Sequence, residues 1–354
     1  MKPIVVKQLL AVALIISFGV FGGITGFRGH IPKGQTGNKG ESLARAAPWQ
    51  QGVASDDYSH SSSEEDVKVS PERNGEEHLA RVKDNEHRWN PDYEPLEKQL
   101  EVYIEDLNKA TGQEWGIYFE DLTSGKTFGV NPDLWVPAAS TVKVPVVLYA
   151  SYLVSQGQIS WDERLTYIAS RDWRSGAGSL QFTAKDYDTF TIRELCEKAI
   201  VESDNVAWKM LERRLGKENI ARFMADLGGT VVYPDGQNVS TPRDMATYMK
   251  AALLFANENP EGEKLMYDLA HTIWNTGLNR FIASKVVVAH KEGDVAGVAN
   301  DVGVVYAGHP YIVAIMSKGH HDVEAGFEEI GRISKIIYEY QVNLEANLQG
   351  VQGN

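Results

Sequence analysis

Ser140 and Lys143 stand three residues apart in Ser140-Thr-Val-Lys143, and that spacing can do chemistry. The serine follows Trp135-Val-Pro-Ala-Ala139 and precedes the apolar run 144–154, which reads as a loop feeding a buried helix. A serine in the first turn of a helix has its hydroxyl and its own N–H in the positive field of the helix N-terminus. A lysine three residues on lies one turn away on the same face, so its amine reaches the serine oxygen. Buried beside other cations, such a lysine loses its proton and acts as a base. The pair is therefore a candidate nucleophile and base. Alone the pattern is weak, because ordinary composition supplies a Ser-x-x-Lys roughly once in a chain of this length. A lysine beside a helix cap more often faces solvent.

The elements that would position this pair can be read along the chain. Leu96, Leu100, Tyr103 and Leu107 fall at helical spacing within 95–110. Residues 114–121, the turn Thr123-Ser-Gly-Lys126 and residues 127–130 read as a hairpin. After the Ser140 helix, 162–184 is loop-rich around Gly176-Ala-Gly-Ser-Leu-Gln181. Thr191-Ile-Arg-Glu194 is a capping box opening a helix to about Val201, and Ser203-Asp-Asn205 ends that helix. Helices follow at 206–215 and 220–227, and Thr241-Pro-Arg-Asp244 starts another that runs to about Ala256. The C-terminal part turns to strands: 285–290 entering Lys291-Glu-Gly-Asp294, then a hairpin of 301–306 and 311–316, then a closing helix over 323–340. This order predicts an α+β fold, an antiparallel sheet flanked by helices with an all-helical block inserted between its two halves.

The 354 residues carry 35 basic and 48 acidic side chains, a net charge of −13, which argues against a nucleic-acid partner. Much of the excess is local, since residues 51–95 hold 12 acidic and 5 basic residues. Cys196 is the one cysteine, so no intrachain disulfide forms and no cysteine-based metal site is expected. The histidines show no ligand-like spacing, and His290 reads as a strand-end residue. No metal or organic cofactor is implied. Residues 9–27 carry no charge, and 19 helical residues span about 28 Å, close to a bilayer's hydrocarbon thickness. The run is long for a cleaved signal, and Phe27-Arg-Gly-His30 is a poor cleavage site, so 1–29 reads as an N-terminal membrane anchor in preference to a signal. Gly19 with Gly23, and Gly22 with Gly26, make small-xxx-small pairs on which a weak homodimer could form. Residues 30–92 are rich in Gly, Ser and acids and read as a disordered tether with a reach of roughly 40–45 Å. The expected organisation is anchor 1–29, tether 30–92, folded domain 93–343 and polar tail 344–354, with the folded domain on the extracellular face of the cell membrane.

Three segments then matter together: Ser140-x-x-Lys143, Ser203-Asp204-Asn205 and Lys291-Glu292-Gly293. Each of the latter two, taken alone, reads as a helix end with a turn or as a strand end. In this order, and on these elements, they resemble the motif set of class A β-lactamases and penicillin-binding proteins over about residues 93–343. Leu195-Cys-Glu-Lys-Ala-Ile-Val-Glu-Ser-Asp-Asn-Val-Ala207 and Ser240-Thr-Pro-Arg-Asp-Met-Ala-Thr247 are similar to the segments the family carries there. The resemblance implies a serine nucleophile that forms an acyl-enzyme at Ser140, with Lys143 taking its proton. It implies that Ser203 relays a proton to the leaving nitrogen and that Lys291 polarises Ser203. Asn205 would hold a substrate amide and orient Lys143. The oxyanion hole would be the N–H groups of Ser140 and Asp294, and Gly293 would let substrate lie against the strand.

Two departures from the family narrow the expectation. Class A enzymes carry a water-activating glutamate on an omega loop; the matching interval here, 228–241, is short and has no glutamate, with Asp235 and Asn238 as its polar candidates. The family's threonine after the lysine is Glu292, and Asp294 follows, so two acids stand where a substrate carboxylate would bind. Glu292 is expected to repel that carboxylate or to pair with Lys291. The reading is a β-lactamase-related serine hydrolase acting on a β-lactam or a cell-wall peptide. A penicillin-binding-type peptidase or esterase, and a non-turnover sensor or scaffold, stand as alternatives.

Overall fold

The computed structural model describes residues 89–350. In chain order the elements are α1 (Glu94–Thr111), β1 (Glu114–Asp121), β2 (Thr127–Val130), β3 (Val136–Pro137), a 3-10 turn (Ala139–Val142), α2 (Lys143–Ser155), β4 (Arg164–Thr166), β5 (Thr189–Thr191), α3 (Ile192–Val201), α4 (Asn205–Leu215), α5 (Lys217–Asp226), β6 (Val239–Ser240), α6 (Pro242–Glu258), α7 (Pro260–Ala270), β7 (Val288–Val295), β8 (Val298–Val305), β9 (Tyr311–Lys318) and α8 (Val323–Gly350). The anchor at 9–27 and most of the tether lie outside the described residues. Within 89–350 no helix is long and apolar enough to cross a membrane.

One five-stranded antiparallel sheet, ordered β2-β1-β9-β8-β7, forms the middle layer. Side chains alternate across it, as a pleated strand requires. On β9, Tyr311, Val313 and Ile315 pack with Leu96, Leu100 and Ile104 of α1 and Ile330, Ile333 and Ile337 of α8. Ile312, Ala314 and Met316 face the other way, into the helical block with Met245, Tyr248 and Met249 of α6. The sheet is thus buried on both faces, which explains the near-continuous apolar runs of β8 and β9. The helical block lies between β2 and β7 in sequence, as the element order predicted. The three motif segments end up where that block meets β7, the edge strand of the sheet.

The caps hold as read. Thr191 accepts from Glu194 N while the Glu194 carboxylate accepts from Thr191 N, closing the capping box. Thr241 accepts from Asp244 N at the start of α6. Four features depart most from the sequence reading. Helix α7, unrecognised in the sequence, starts on Pro260 with Glu261 and Glu263 in its first turn. The valine run from Lys285 begins its strand only at Val288, because 281–286 turns beneath the sheet first. The closing helix continues past Tyr340 to Gly350, so 344–350 is not a free tail; the Glu345 carboxylate accepts from His309 N at 2.8 Å. At the other end the fold begins before Tyr93. The Trp89 indole N–H donates to Asp121 Oδ2 at 2.8 Å and its ring stacks on His309 at 3.6 Å. Asp121 also accepts from the Tyr93 hydroxyl, Gln341 Nε2 and the backbone N–H groups of Thr123 and Ser124, so one buried carboxylate joins the first residues, the β1–β2 turn and α8.

Candidate active site

The 3-10 turn holds Ser140 half-buried in the cleft, directly after Ala139, whose φ is +51°. Lys143 opens α2, so the pair spans the junction of turn and helix rather than a single α-helical turn. Lys143 Nζ lies 3.0 Å from Ser140 Oγ, 2.8 Å from Asn205 Oδ1, 2.5 Å from the Ser203 carbonyl and 3.2 Å from Ser203 Oγ. The lysine is 2% exposed. Burial, and then the neighbouring Lys291 cation, hold its amine far below the ordinary lysine pKa. A neutral amine has two N–H donors and one lone pair. The Ser203 carbonyl and Asn205 Oδ1 are pure acceptors and take both donors. The lone pair is left for the Ser140 hydroxyl, which is the geometry of a base about to remove a proton.

Ser203 sits at φ +56°, a left-handed conformation that a serine adopts at a cost and that turns its side chain back towards Lys143. The strain is held by the residues around it. Asp204 caps α4 through Ala207 N and accepts from Leu180 N, both at 2.8 Å, and Asn205 Nδ2 donates to the Ser175 carbonyl at 2.8 Å. Two glycines make this stitching fit. A Cβ on Gly178 would stand 2.2 Å from Asp204 Oδ2, and one on Gly176 would stand 2.6 Å from Asn205 Nδ2. The sequence shows the glycines but not that they pack under the Ser-Asp-Asn turn. Gly178→Ala is expected to lose about 3 kcal/mol of stability through the clash and the positive φ, read as a fall in the urea midpoint.

Lys291 is fully buried on β7; its Nζ donates to Ser203 Oγ at 3.0 Å and to the Glu292 carbonyl at 2.6 Å. Burial pushes its pKa down to about 8. Ser203 Oγ therefore lies between two amines, and a proton can pass along Lys143, Ser203 and Lys291.

The structure corrects two expectations about the segment after Lys291. The Glu292 carboxylate neither pairs with Lys291 nor faces the cleft. It turns onto the loop before β7, where it accepts from Thr276 N at 2.5 Å, Gly277 N at 2.8 Å and Thr276 Oγ1 at 2.9 Å. Gly293 does not leave room for substrate; a Cβ there would stand 2.8 Å from Ser140 N and 2.7 Å from Thr141 N. The missing side chain lets the 3-10 turn pack on the strand, and Asn300, opposite Gly293, ties the preceding residues down by donating to the Pro137 carbonyl at 2.8 Å.

His290 is likewise more than a strand end. It shares a strand face with Glu292, and both meet Asp301, which pairs with Glu292 across β7 and β8. The ligand atoms of the three lie within 4.8 Å of one another, a grouping that sequence spacing did not reveal because it needs the neighbouring strand. A metal does not fit there. His290 Nδ1 is 2.9 Å from Asp301 Oδ2, which also accepts from Leu278 N, and the Glu292 oxygens are committed to the 276–277 backbone. The group is a hydrogen-bonded cluster that fastens the 275–278 loop to β7.

A cavity of about 210 Å³ opens over Ser140 and Lys143, lined also by Arg174, Ser175, Asn205, Trp208, Asn238, Asp294 and Val295. The 228–241 loop contributes Asn238, whose Nδ2 donates to the Ala139 carbonyl at 2.9 Å; Asp235 stays in the Pro-Asp-Gly turn and does not line the cavity. A larger cavity of about 370 Å³, between α1 and residues 131–134, holds no nucleophile. Its carboxylates Glu114 and Asp133 are paired with Lys318 and Arg243.

Residues 95–341 match the family model described as the β-lactamase enzyme family. The chain is similar to β-lactamase VEB-1 of Pseudomonas aeruginosa, 24% identical over 276 residues that cover 69% of this chain and 91% of that protein. It is also similar to β-lactamase ROB-1 of Haemophilus influenzae, 29% identical over 230 residues covering 57% and 71% of the two chains. Among solved structures, PBP-A superposes with a TM-score of 0.64 at 29% identity over 69% of this chain and 96% of that one. A point mutant of PBP-A, solved as its acyl-enzyme complex with penicillin G, superposes with a TM-score of 0.65 at 28% identity, over 70% of this chain and 97% of that one.

Proposed function

From the premise that the chain belongs to the β-lactamase enzyme family and is a β-lactamase-related serine hydrolase, we propose that Ser140 is its nucleophile and that a β-lactam or a related cell-wall peptide acylates it. The observation that carries this reading is the commitment of both Lys143 donors to Ser203 and Asn205, with the lone pair left to Ser140. Ser140 Oγ bonds to the carbonyl carbon as its proton moves to Lys143 Nζ. The oxyanion rests on the N–H groups of Ser140 and Asp294. Ser203 Oγ gives a proton to the leaving nitrogen as the C–N bond breaks and is resupplied from Lys143, with Lys291 holding positive charge beside it. Arrival of water at the ester is the slow half, because the 228–241 loop presents the amide of Asn238 and no carboxylate to the cavity. That observation favours a long-lived acyl-enzyme and hence a penicillin-binding or sensing role as the second reading. The uncharged run 9–27 supports placing the enzyme on a membrane, held by its tether on the outer face of the cell.

The test is to incubate the full chain with a fluorescent penicillin and a chromogenic cephalosporin beside Ser140→Ala. Covalent label on the wild type, absent from Ser140→Ala, is the expected result, with slow turnover of the cephalosporin. Fast turnover would overturn the slow-hydrolysis part. Absence of label at high protein concentration would overturn the β-lactam part and leave other acyl donors.

A further inference from the structure

The leaving portion of an acyl donor lies over Ser203 and Lys291, since Ser203 hands it a proton. Charge at that end is unevenly placed. Lys143 and Lys291 are buried and committed to hydrogen bonds within the wall of the cleft. Glu292 is withdrawn onto Thr276 and Gly277. Asp294, two residues further along the same face of β7, is exposed and lines the cavity with Ser140. Its carboxylate acts on both amines, opposing the fall in pKa that burial imposes on each. The exposed cation of the cavity, Arg174, belongs to the loop 173–179 and not to β7, and its Nη1 donates to the Trp173 carbonyl at 2.6 Å. The strand wall therefore offers an approaching molecule a free carboxylate and no free cation, the reverse of what an anionic leaving portion needs.

We propose that Asp294 sets the leaving-group preference of this site, so that acyl donors whose departing portion carries a cation are accepted and those whose departing portion carries a carboxylate are discriminated against. The proposal rests on the acylation of Ser140 described above. It separates this cleft from one built to hold a substrate carboxylate beside the strand. The chemical class it names is an ester, thioester or amide with an amine-bearing departing group.

Three thioesters that share one benzoylglycyl group test it on the full chain: one departing as thiocholine, one as neutral methyl thioglycolate, one as thioglycolate with its free carboxylate. In each the Ser140 Oγ–carbon bond forms, the carbon–sulfur bond breaks, and the thiol leaves with the proton that Ser140 gave up. Mass spectrometry reads one benzoylglycyl group per chain, and thiol release reads the rate. The expected order is cationic, then neutral, then anionic, with about tenfold between the extremes at low salt and less at high salt. Asp294→Asn is expected to bring the extremes within about twofold, and Asp294→Lys to invert them, each rate being normalised to the neutral donor of the same variant. Acylation by the neutral donor with the same charge ratio in wild type and Asp294→Asn would overturn this inference and leave the Ser140 reading intact. Failure of all three donors to reach Ser140 would overturn that reading, and this inference with it.

Discussion

Replacing Lys143 by alanine is expected to slow acylation of Ser140 about a thousandfold while leaving the fold intact. A positioned general base is worth 10²- to 10⁴-fold, and no other described side chain meets the serine oxygen as Lys143 Nζ does at 3.0 Å. The pH profile carries the sharper test. Lys143 must be neutral to take the proton, and burial, with the Lys291 cation beside it, holds its titration far below the ordinary lysine range, so the acidic limb lies far below that range too. Lys291 acts as a cation and loses its proton at about 8, so the rate falls again above that pH. The outcome is a bell with its alkaline limb near 8, measured as the labelling rate with a fluorescent penicillin or with a neutral thioester. Lys143→Arg, which keeps a charge but cannot act as base, is expected to be as slow as Lys143→Ala. A loss under tenfold in either variant would mean that another group takes the proton. The depressed pKa also costs the fold stability. The unfolded lysine holds its proton up to its ordinary pKa, so folding must expel it, and this cost shrinks as pH rises towards that value.

Changing Glu292 to threonine, which would make Lys-Thr-Gly of Lys291-Glu-Gly293, is expected to destabilise the protein by about 2–4 kcal/mol instead of restoring a carboxylate-binding cleft. Glu292 satisfies two backbone N–H groups and one hydroxyl of the 276–277 turn, and a threonine is too short to reach them. Each buried donor left unpaired costs about 1–3 kcal/mol. Glu292→Gln keeps an acceptor oxygen of the same reach and removes a charge that burial and Asp301 already hold above the usual carboxylate pKa. It is expected to cost under about 1 kcal/mol, the difference being read as a shift in urea midpoint at constant slope. The sign with pH follows. A carboxyl that holds its proton more tightly in the fold contributes most at acid pH, and that contribution is lost as pH rises through the raised pKa. The wild type therefore loses part of its margin over that range and Glu292→Gln does not. Equal midpoints for Glu292→Thr and wild type would sink this account of the cluster.

Ser140, Lys143, Ser203, Asn205 and Lys291 were legible in the sequence because each sits in a short segment whose own turn or strand aims it. Ser203 needs only the left-handed turn before Asp204 caps the next helix, and Lys291 only the alternation of β7. The fold class followed from the order of apolar periods for the same reason. Glu292 was misread because its partners, Thr276 and Gly277, lie in a loop without periodicity, and a residue in a motif looked committed to the cleft. Gly293 was misread because its close neighbour is the backbone of the 3-10 turn, some 150 residues earlier in the chain. The His290 and Asp301 contact depends on the register of β7 against β8, which no local pattern sets. Helix α7 carried a legible signal, proline at its start and acids in its first turn, but stood so close behind α6 that its helical period merged with the preceding one.

Asp121 gives the ends of the fold a common fate. Trp89 and Tyr93 at the start, and Gln341 in the last helix, all donate to its Oδ2, while the Trp89 ring lies on His309, whose backbone N–H holds Glu345. Chain ends usually fray separately, each opening at little cost to the other. Here opening either end of the domain strips a buried carboxylate of donors that hold the other, so the two are expected to open as one cooperative unit although Trp89 and Gln341 lie 252 positions apart. The domain is closed into a ring by a hydrogen-bonded seam, in place of the disulfide that a chain with a single cysteine cannot make.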